Sequence, residues 1–379
     1  MKRIKFLFTL LLALSVALGV AACGEDPGTT GSDFPATGST QIQVTDSQIP
    51  EPEPEPEPYI PPYINPLTGL RTEYDTNATR PLGVMINNIQ QSLPQVGVGK
   101  ADILIECLAE GNITRLLGIY AEYQQLDVVG SVRSSRPYYL DFAQMFDAIY
   151  CHAGGSEDAY AQIAARKINN IDGVRKDPTR AFYRDPERLQ TMDLEHTMMT
   201  TGANITNAIA YFGYRTALRE DRVLPFSFPE EGTSVTVGTE SATHIYLPIS
   251  GYQTVDYVYD PENLRYLRYQ YNGNPHIDAA DGSQLAFKNV IVLFCRTYAY
   301  DDYGRLKVDT VGSGNGILIS EGKSAPITWT REHQDGNLTL LDEAQNPIVI
   351  NRGKTAINVC PLLVAEKINL NAADRTMNS

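Results

Sequence analysis

Arginines, paired acids and a histidine beside glycines are the side chains best equipped for chemistry in this 379-residue sequence. The densest group is Asp102, Glu106, Arg115, Arg133 and Arg136, with Asn87 and Asn88 near it in chain order. The planar fork of arginine suits two-point binding of phosphate or carboxylate. Asp102 and Glu106 stand four apart in a strand-like run, which places both on one face of a sheet. Arg133 and Arg136 bracket Ser134-Ser135 where a strand would meet a helix. Two readings stay open: three arginines and two acids satisfying one another inside the fold, or a pocket for an anion or an anionic polymer.

His152 precedes Gly154-Gly155-Ser156. A strand, a glycine-rich turn and a helix start, in that order, offer backbone N–H groups to an anion. The imidazole beside them would act as a general base, touch the anion, or pin the loop by hydrogen bonding. Arg184 and His196 lie in an irregular stretch that would fold over the same place. Asp102 and His152 are thus the catalytic candidates. The ligand-binding candidates are Asn87, Asn88, Asp102, Glu106, Arg115, Arg133, Arg136, His152, Arg184 and His196. In His276-Ile277-Asp278 the His and Asp share a face, but two ligands do not make a metal site, and a turn-stabilising pair is the simpler reading. Gly322-Lys323-Ser324 lacks the first glycine of a phosphate-binding loop. Gly312-Ser313-Gly314-Asn315-Gly316 lacks the helix opening of a dinucleotide fingerprint and reads as a hairpin. No zinc-protease or serine-hydrolase signature occurs. No metal site and no cofactor are expected. The tyrosines between 246 and 303 would form either a strip for stacking sugars or half-buried strand positions.

The elements that must position these residues follow from hydrophobic periodicity. Leu82–Asn88 predicts a strand, and Ile103–Ala109 and Ile113–Tyr123 predict a hairpin turning at Glu110-Gly111-Asn112. Arg136–Phe146 predicts a helix, as do Glu157–Lys167, capped by Ser156, and Thr200–Tyr211. After residue 225 short strand-like runs dominate, from Thr243–Ile249 through Ile348–Ile350 to Ala356–Val359, with turn residues between them. The fold class expected is an α+β N-terminal domain over 66–225, followed by a mainly β C-terminal domain over 226–370.

The N-terminus reads as an address. Lys2, Arg3 and Lys5 precede an uncharged run of 17 residues, Phe6–Ala22, which ends in Val20-Ala21-Ala22-Cys23. A basic start, an apolar middle and small residues at the cut describe a secretory leader over 1–22. A cysteine directly after them resembles the bacterial lipobox, so Cys23 is the expected lipidation site, and two acyl chains hold a protein stably on a membrane. Residues 24–65 carry eight acids and no Lys or Arg, including Glu-Pro repeats at 51–58. Such a stretch buries no core and stands extended, a tether over 23–65. The chain has net charge −14, which becomes −17 when the leader removes three cations. That charge repels nucleic acid. Cys107, Cys151, Cys295 and Cys360 lie in apolar runs with no C-x-x-C, so buried thiols and two disulfides both stay open.

Long specific runs carry a family likeness: Asn65-Pro66-Leu67-Thr68-Gly69-Leu70, Arg80–Asn88, Ala109–Arg115, Gly130–Tyr138 and Tyr150–Ser156, then His276-Ile277-Asp278, Lys288–Val292 and Val311–Gly314. Over about Asn65–Pro361 the chain resembles the YerB-like lipoproteins of Gram-positive bacteria, a family built around two domains of unknown function. The resemblance implies a membrane-tethered protein on the outer face of the cell membrane and supplies no reaction. A binding or scaffolding role follows, with an anionic envelope component or a protein as partner. The alternative is envelope phosphoryl or glycopolymer transfer. Residues 101–136 are similar in order to glycopolymer transferases of the LytR-CpsA-Psr type, with Asp102 on one strand and Arg133 after the next. That chemistry would use the arginines to neutralise phosphoryl charge and a divalent metal on Asp102.

Overall fold

Apolar side chains at strand spacing assemble the centre of the molecule. The computed structural model describes residues 59–175 and 178–373, and these fall in one compact unit. The leader, Cys23 and the Glu-Pro tract lie outside the described residues. Leu82–Asn88 (β1), Ile103–Leu108 (β2) and Thr114–Tyr120 (β3) are buried almost throughout. β2 and β3 form the expected antiparallel hairpin, with Gly111 in the left-handed region that the turn requires.

Two helices follow on one face. Pro137–Gln144 (α1) begins with proline in its first turn, where a missing N–H costs nothing. Ile149–His152 (β4) leads to Glu157–Ala165 (α2), whose first turn is capped by Ser156 Oγ accepting from Ala159 N. Asn170–Asp172 (β5), Phe182–Arg184 (β6), the single turn Arg188–Thr191 (α3), Met198–Thr200 (β7) and Gly202–Phe212 (α4) complete this half. From residue 245 to 360 regular structure is strands. His244–Leu247 (β8), Val255–Asp260 (β9) and Arg265–Gln270 (β10) make most of a small antiparallel sheet. Then come Asn289–Cys295 (β11), the hairpin Thr297–Ala299 (β12) and Leu306–Val308 (β13), and the long hairpin Gly312–Ser320 (β14) and Lys323–Arg331 (β15). Thr339–Leu341 (β16) and Thr355–Pro361 (β17) finish the order. An α+β first part and an all-strand second part match the expected class.

One eleven-stranded sheet runs through both parts, in the order β15, β14, β11, β17, β2, β3, β1, β4, β5, with a two-residue strand at one edge and β16 beside β15. β17 lies parallel between β11 and β2, and this pairing joins the later segment to the earlier one. Both faces of the sheet centre are covered, which is why Asn289–Cys295 and Thr355–Pro361 are buried at every residue. The small sheet and α4 cover one face, through Ile245, Val255, Tyr266, Ile205 and Ile209. α1 and Ile163 of α2 cover the other, through Tyr139, Phe142 and Phe146.

Two expectations are corrected. Ile348–Ile350 makes no ladder, only isolated bridges at Ser227–Val349 and Leu341–Pro347, although Ile348 and Ile350 are buried. Burial of alternate residues imitates a strand when an extended loop lies across a core. Gly312–Gly316 is not a hairpin but the first half of β14, whose turn is at Glu321-Gly322. Its glycines serve close approach: a Cβ on Gly314 would lie 2.5 Å from Trp329 Nε1, and one on Gly316 would lie 2.5 Å from Val292 O. Cys107, Cys151, Cys295 and Cys360 are buried thiols, with no disulfide among them. Burial pushes the Cys107 thiol up, and that of Cys295 to about 12.

His276 and Asp278 tie the later segment to the earlier one. Asp278 accepts from Gly97 N at 2.8 Å and Gly99 N at 2.7 Å, and His276 Nε2 lies 2.9 Å from Gln95 Oε1. The pair stabilises a turn, and the turn is 179 to 181 positions away in chain order.

Candidate functional site

The segment Gly130–Arg136 runs past the end of β1 to the start of α1 and is held by backbone bonds on two sides. Arg133 N donates to Met85 O at 2.9 Å, and Ala153 N donates to Arg133 O at 3.0 Å. Ser135 N donates to Gly154 O at 2.9 Å, locking the segment to the glycine loop. This frame projects Arg133, Ser134 and Arg136 beside β3, where Arg115 stands opposite Cys107 in register.

Arg115 is the telling residue. It is 4% exposed, yet its Nε and Nη1 make no hydrogen bond, and Glu110 Oε2 is 4.0 Å from Nη1. Burial, then the neighbouring Arg136, pulls its pKa down to about 10. Glu110 is committed to Arg136, whose Nε donates to it at 2.6 Å. Burial pushes the Glu110 carboxyl up, but Arg136 and Arg115 outweigh this and hold it below its ordinary value. Arg133 pairs with Glu195 at 3.0 Å, and its buried Nε has no partner. Asn87 Nδ2 donates to His196 Nδ1 at 2.8 Å, while Asn87 Oδ1 is buried and unmatched. That bond makes Nδ1 the acceptor and places the ring proton on Nε2, which faces Glu195 at 3.7 Å. Burial lowers the pKa of His196, keeping it neutral. No side chain caps α1 and no acid sits in its first turn, so its positive end adds to the local field.

A cleft of about 750 Å³ opens beside this cluster, lined by Arg133, Ser134, Gly154, Gly155, Arg175 and Arg184 among others. Arg184 Nη1 donates to Leu194 O and to Thr197 Oγ1. Arg175 stacks on Tyr160, 3.4 Å from the ring centre, and donates to Glu157. Asp172 accepts from Gly154 N at 2.9 Å and from Tyr160 at 2.8 Å, fixing the glycine loop. His152 is fully buried beneath that loop, with Nδ1 2.8 Å from Gly154 O and Nε2 3.1 Å from Asn170 Oδ1. Both nitrogens face acceptors, so the imidazole pins the loop and no nitrogen is left to face the cleft.

The structure therefore gathers Asn87, Arg115, Arg133, Arg136, Arg184 and His196 at one end of the sheet, with His152 underneath. It does not bring Asn88, Asp102 or Glu106 there. Glu106 points from the opposite face of the sheet, into a buried network with Asn88, Thr114, Gln253 and Arg268. Asp102 lies five residues before the register position of Arg115, roughly 16 Å along the strand. It accepts from Asn65 at 2.9 Å and Ala121 N at 2.7 Å, and burial pushes its pKa up to about 6. Among the described residues, no three His, Cys, Asp or Glu side chains are grouped to hold a metal ion. Glu110, Asp172 and Arg175 belong to the site and were not singled out as site residues in the sequence. Their local signals are those of a turn, a strand end and a loop, which carry no mark of function.

Family models described as "Protein of unknown function (DUF3048)" match the chain at residues 67–215, for the N-terminal domain, and 245–357, for the C-terminal domain. The chain is 31% identical over 315 residues to "Putative lipoprotein YerB" of Bacillus subtilis (strain 168), covering 80% of this chain and 88% of that protein. The crystal structure of the YerB protein from Bacillus subtilis superposes with a TM-score of 0.69 at 27% identity, covering 81% of this chain and 99% of that one. With both domain models matched in order and the relative aligned across nearly its whole length, the chain belongs to the DUF3048 family of YerB-like proteins.

Proposed function

We propose that this chain is a lipid-anchored protein on the outer face of the cell membrane, and that it binds an anionic component of the cell envelope through the arginine cleft. A protein presenting clustered carboxylates or phosphates is the alternative occupant. The observation that carries the reading is the state of Arg115. A guanidinium almost fully buried, with Nε and Nη1 unmatched and two further arginines as neighbours, is costly to hold. Of these arginines Arg133 lines the cleft, and an oxyanion reaching past it to Arg115 and Arg136 would satisfy those donors with short charge-assisted bonds. The sequence supports the location through its leader, the cysteine at 23 and the acidic tether. No described helix is long and apolar enough to cross a membrane. The role is binding or scaffolding and invokes no cofactor and no nucleic acid. The separation of Asp102 from the arginines weighs against the transferase reading.

The test is calorimetric titration of the full chain with poly(glycerol phosphate) of defined length. Arg133→Ala and Arg136→Ala should each weaken binding at least tenfold, and raising the salt should weaken it further. Binding unchanged in both variants would sink the cleft as the site. Mass spectrometry of the native N-terminus checks the anchor separately: a diacylglyceryl-modified Cys23 is expected, and an intact Met1 with its leader would refute it.

A further inference from the structure

A second cleft, of about 790 Å³, lies between α1, α2 and the β12–β13 hairpin. It falls in the size range of pockets that enclose small molecules, roughly 300–1,000 Å³. Its chemistry is unlike that of the arginine cleft. Tyr298 and Tyr300 stand two apart, on one side of the hairpin, and both line it. Arg296 stacks 4.7 Å from the Tyr298 ring centre and lies 4.0 Å from Asp309, which orients the ring and leaves Asp309 only weakly engaged. Across the cleft, Asp158 of α2 accepts from the Tyr300 hydroxyl, a bond that ties the hairpin tip to the helix. Gln162 adds an amide to the same wall.

The polar groups of this cleft are mainly acceptors. Asp158 and Asp309 line it with Lys307 as the facing cation, and Asp141 beneath them is already matched by Arg166 and Thr310. A negatively charged ligand is repelled there. A ligand that donates hydroxyl hydrogens and presents flat C–H faces is matched twice, by carboxylates and by aromatic rings. Tyr257, Tyr266 and Tyr271 of the same stretch are buried and taken up in packing. Tyr298 and Tyr300 instead border open space.

We infer that this cleft is a saccharide-binding site for uncharged sugar chains, separate from the arginine cleft. The chain then holds two ligand classes at once, an anion at one place and a neutral glycan at the other. The probes are the tetramers of N-acetylglucosamine and of glucose, titrated calorimetrically into the full chain, with a hyaluronan tetrasaccharide as the charged counterpart. Saturable binding of a neutral tetramer is expected, at least tenfold tighter than the charged one. Tyr298→Ala should weaken it at least tenfold. Tyr300→Phe keeps the ring and should stay within threefold, and Arg133→Ala should have no effect. If Tyr298→Ala fails to fold, Asp309→Asn carries the test, with a loss of at least fivefold expected. No saturable binding of either neutral tetramer at 10 mM, or full binding by the folded variant, would overturn the inference.

Discussion

The ion pair between Glu106 on β2 of the large sheet and Arg268 on β10 of the small sheet should behave as a clasp between the two sheets. Arg268 is 0% exposed and Glu106 2%, and Arg268 Nη2 donates to Glu106 Oε2 at 2.5 Å. The other oxygen accepts from Asn88, Thr114 and Gln253 at 3.1, 2.6 and 3.2 Å. Burial pulls the Arg268 guanidinium down, and Glu106 together with Tyr257 more than reverses this. Arg268→Met leaves a buried carboxylate on neutral donors, and Glu106→Leu leaves a buried guanidinium. Each should cost about 3–5 kcal/mol, because one uncompensated charge then remains in the interior. For a chain of this size that lowers Tm by on the order of 6–15 °C. The double variant removes both charges, so its loss should fall short of the sum by about 3 kcal/mol. Urea unfolding measures this with two probes: far-UV circular dichroism for the whole chain, and the fluorescence of Trp329, the sole tryptophan, buried in the β15 strand. The two transitions should coincide, since β17 joins the segments through one sheet. Additive losses within 0.5 kcal/mol, or two separated transitions, would refute the clasp.

Further outcomes follow from the same geometry. Asp102 should make neutral pH costly: its pKa rises from 3.8 to about 6, so the folded state holds a proton more firmly than the unfolded one, and that stability is present below pH 4 and lost as pH climbs through 6. Asp102→Asn should therefore gain on the parent by up to roughly 3 kcal/mol between pH 4 and 7.5 in urea unfolding; a constant difference would contradict this. His276 acts in the opposite sense. Burial, then Arg268, holds its pKa well below the ordinary value, so stability should fall as pH drops below about 6.5, and His276→Gln should flatten that limb of the profile. Arg115→Met should leave the fold as stable or raise stability by about 1–3 kcal/mol, because it removes an unmatched buried charge; a loss above 2 kcal/mol would make Arg115 a structural member. Ellman's reagent should find none of Cys107, Cys151, Cys295 and Cys360 reactive in the native protein and all four reactive after denaturation; rapid native labelling of any of them would place that thiol at the surface.

Much of the fold was legible locally. Turn and cap residues announced the Glu110–Asn112 hairpin, the Ser156 cap and the two helices that follow strands, because those signals act within four residues of their effect. The Arg133–Arg136 segment and the glycine loop stood out for the same reason, since each carries a compact pattern of residue types, and the bond from Ser135 N to Gly154 O brings them together. The position of Glu106 was not. Residues 102 and 106 do share a face, as a period of two dictates, but Arg115 pairs opposite Cys107 and therefore projects from the other side of the sheet. A shift of one residue in register would have reversed that outcome, and register is set by the whole packed sheet.

By itself, the sequence determined the element types, the two-part organisation and the apolar strands, because composition and short-range periodicity encode them. The tertiary structure alone decided that the later segment's β17 slots between β11 and β2, that Glu106 meets Arg268 from 162 positions away, and that Arg115 is left buried with unmatched donors. Strand order and register bring together residues that share no local pattern, and only there are partners found or left wanting.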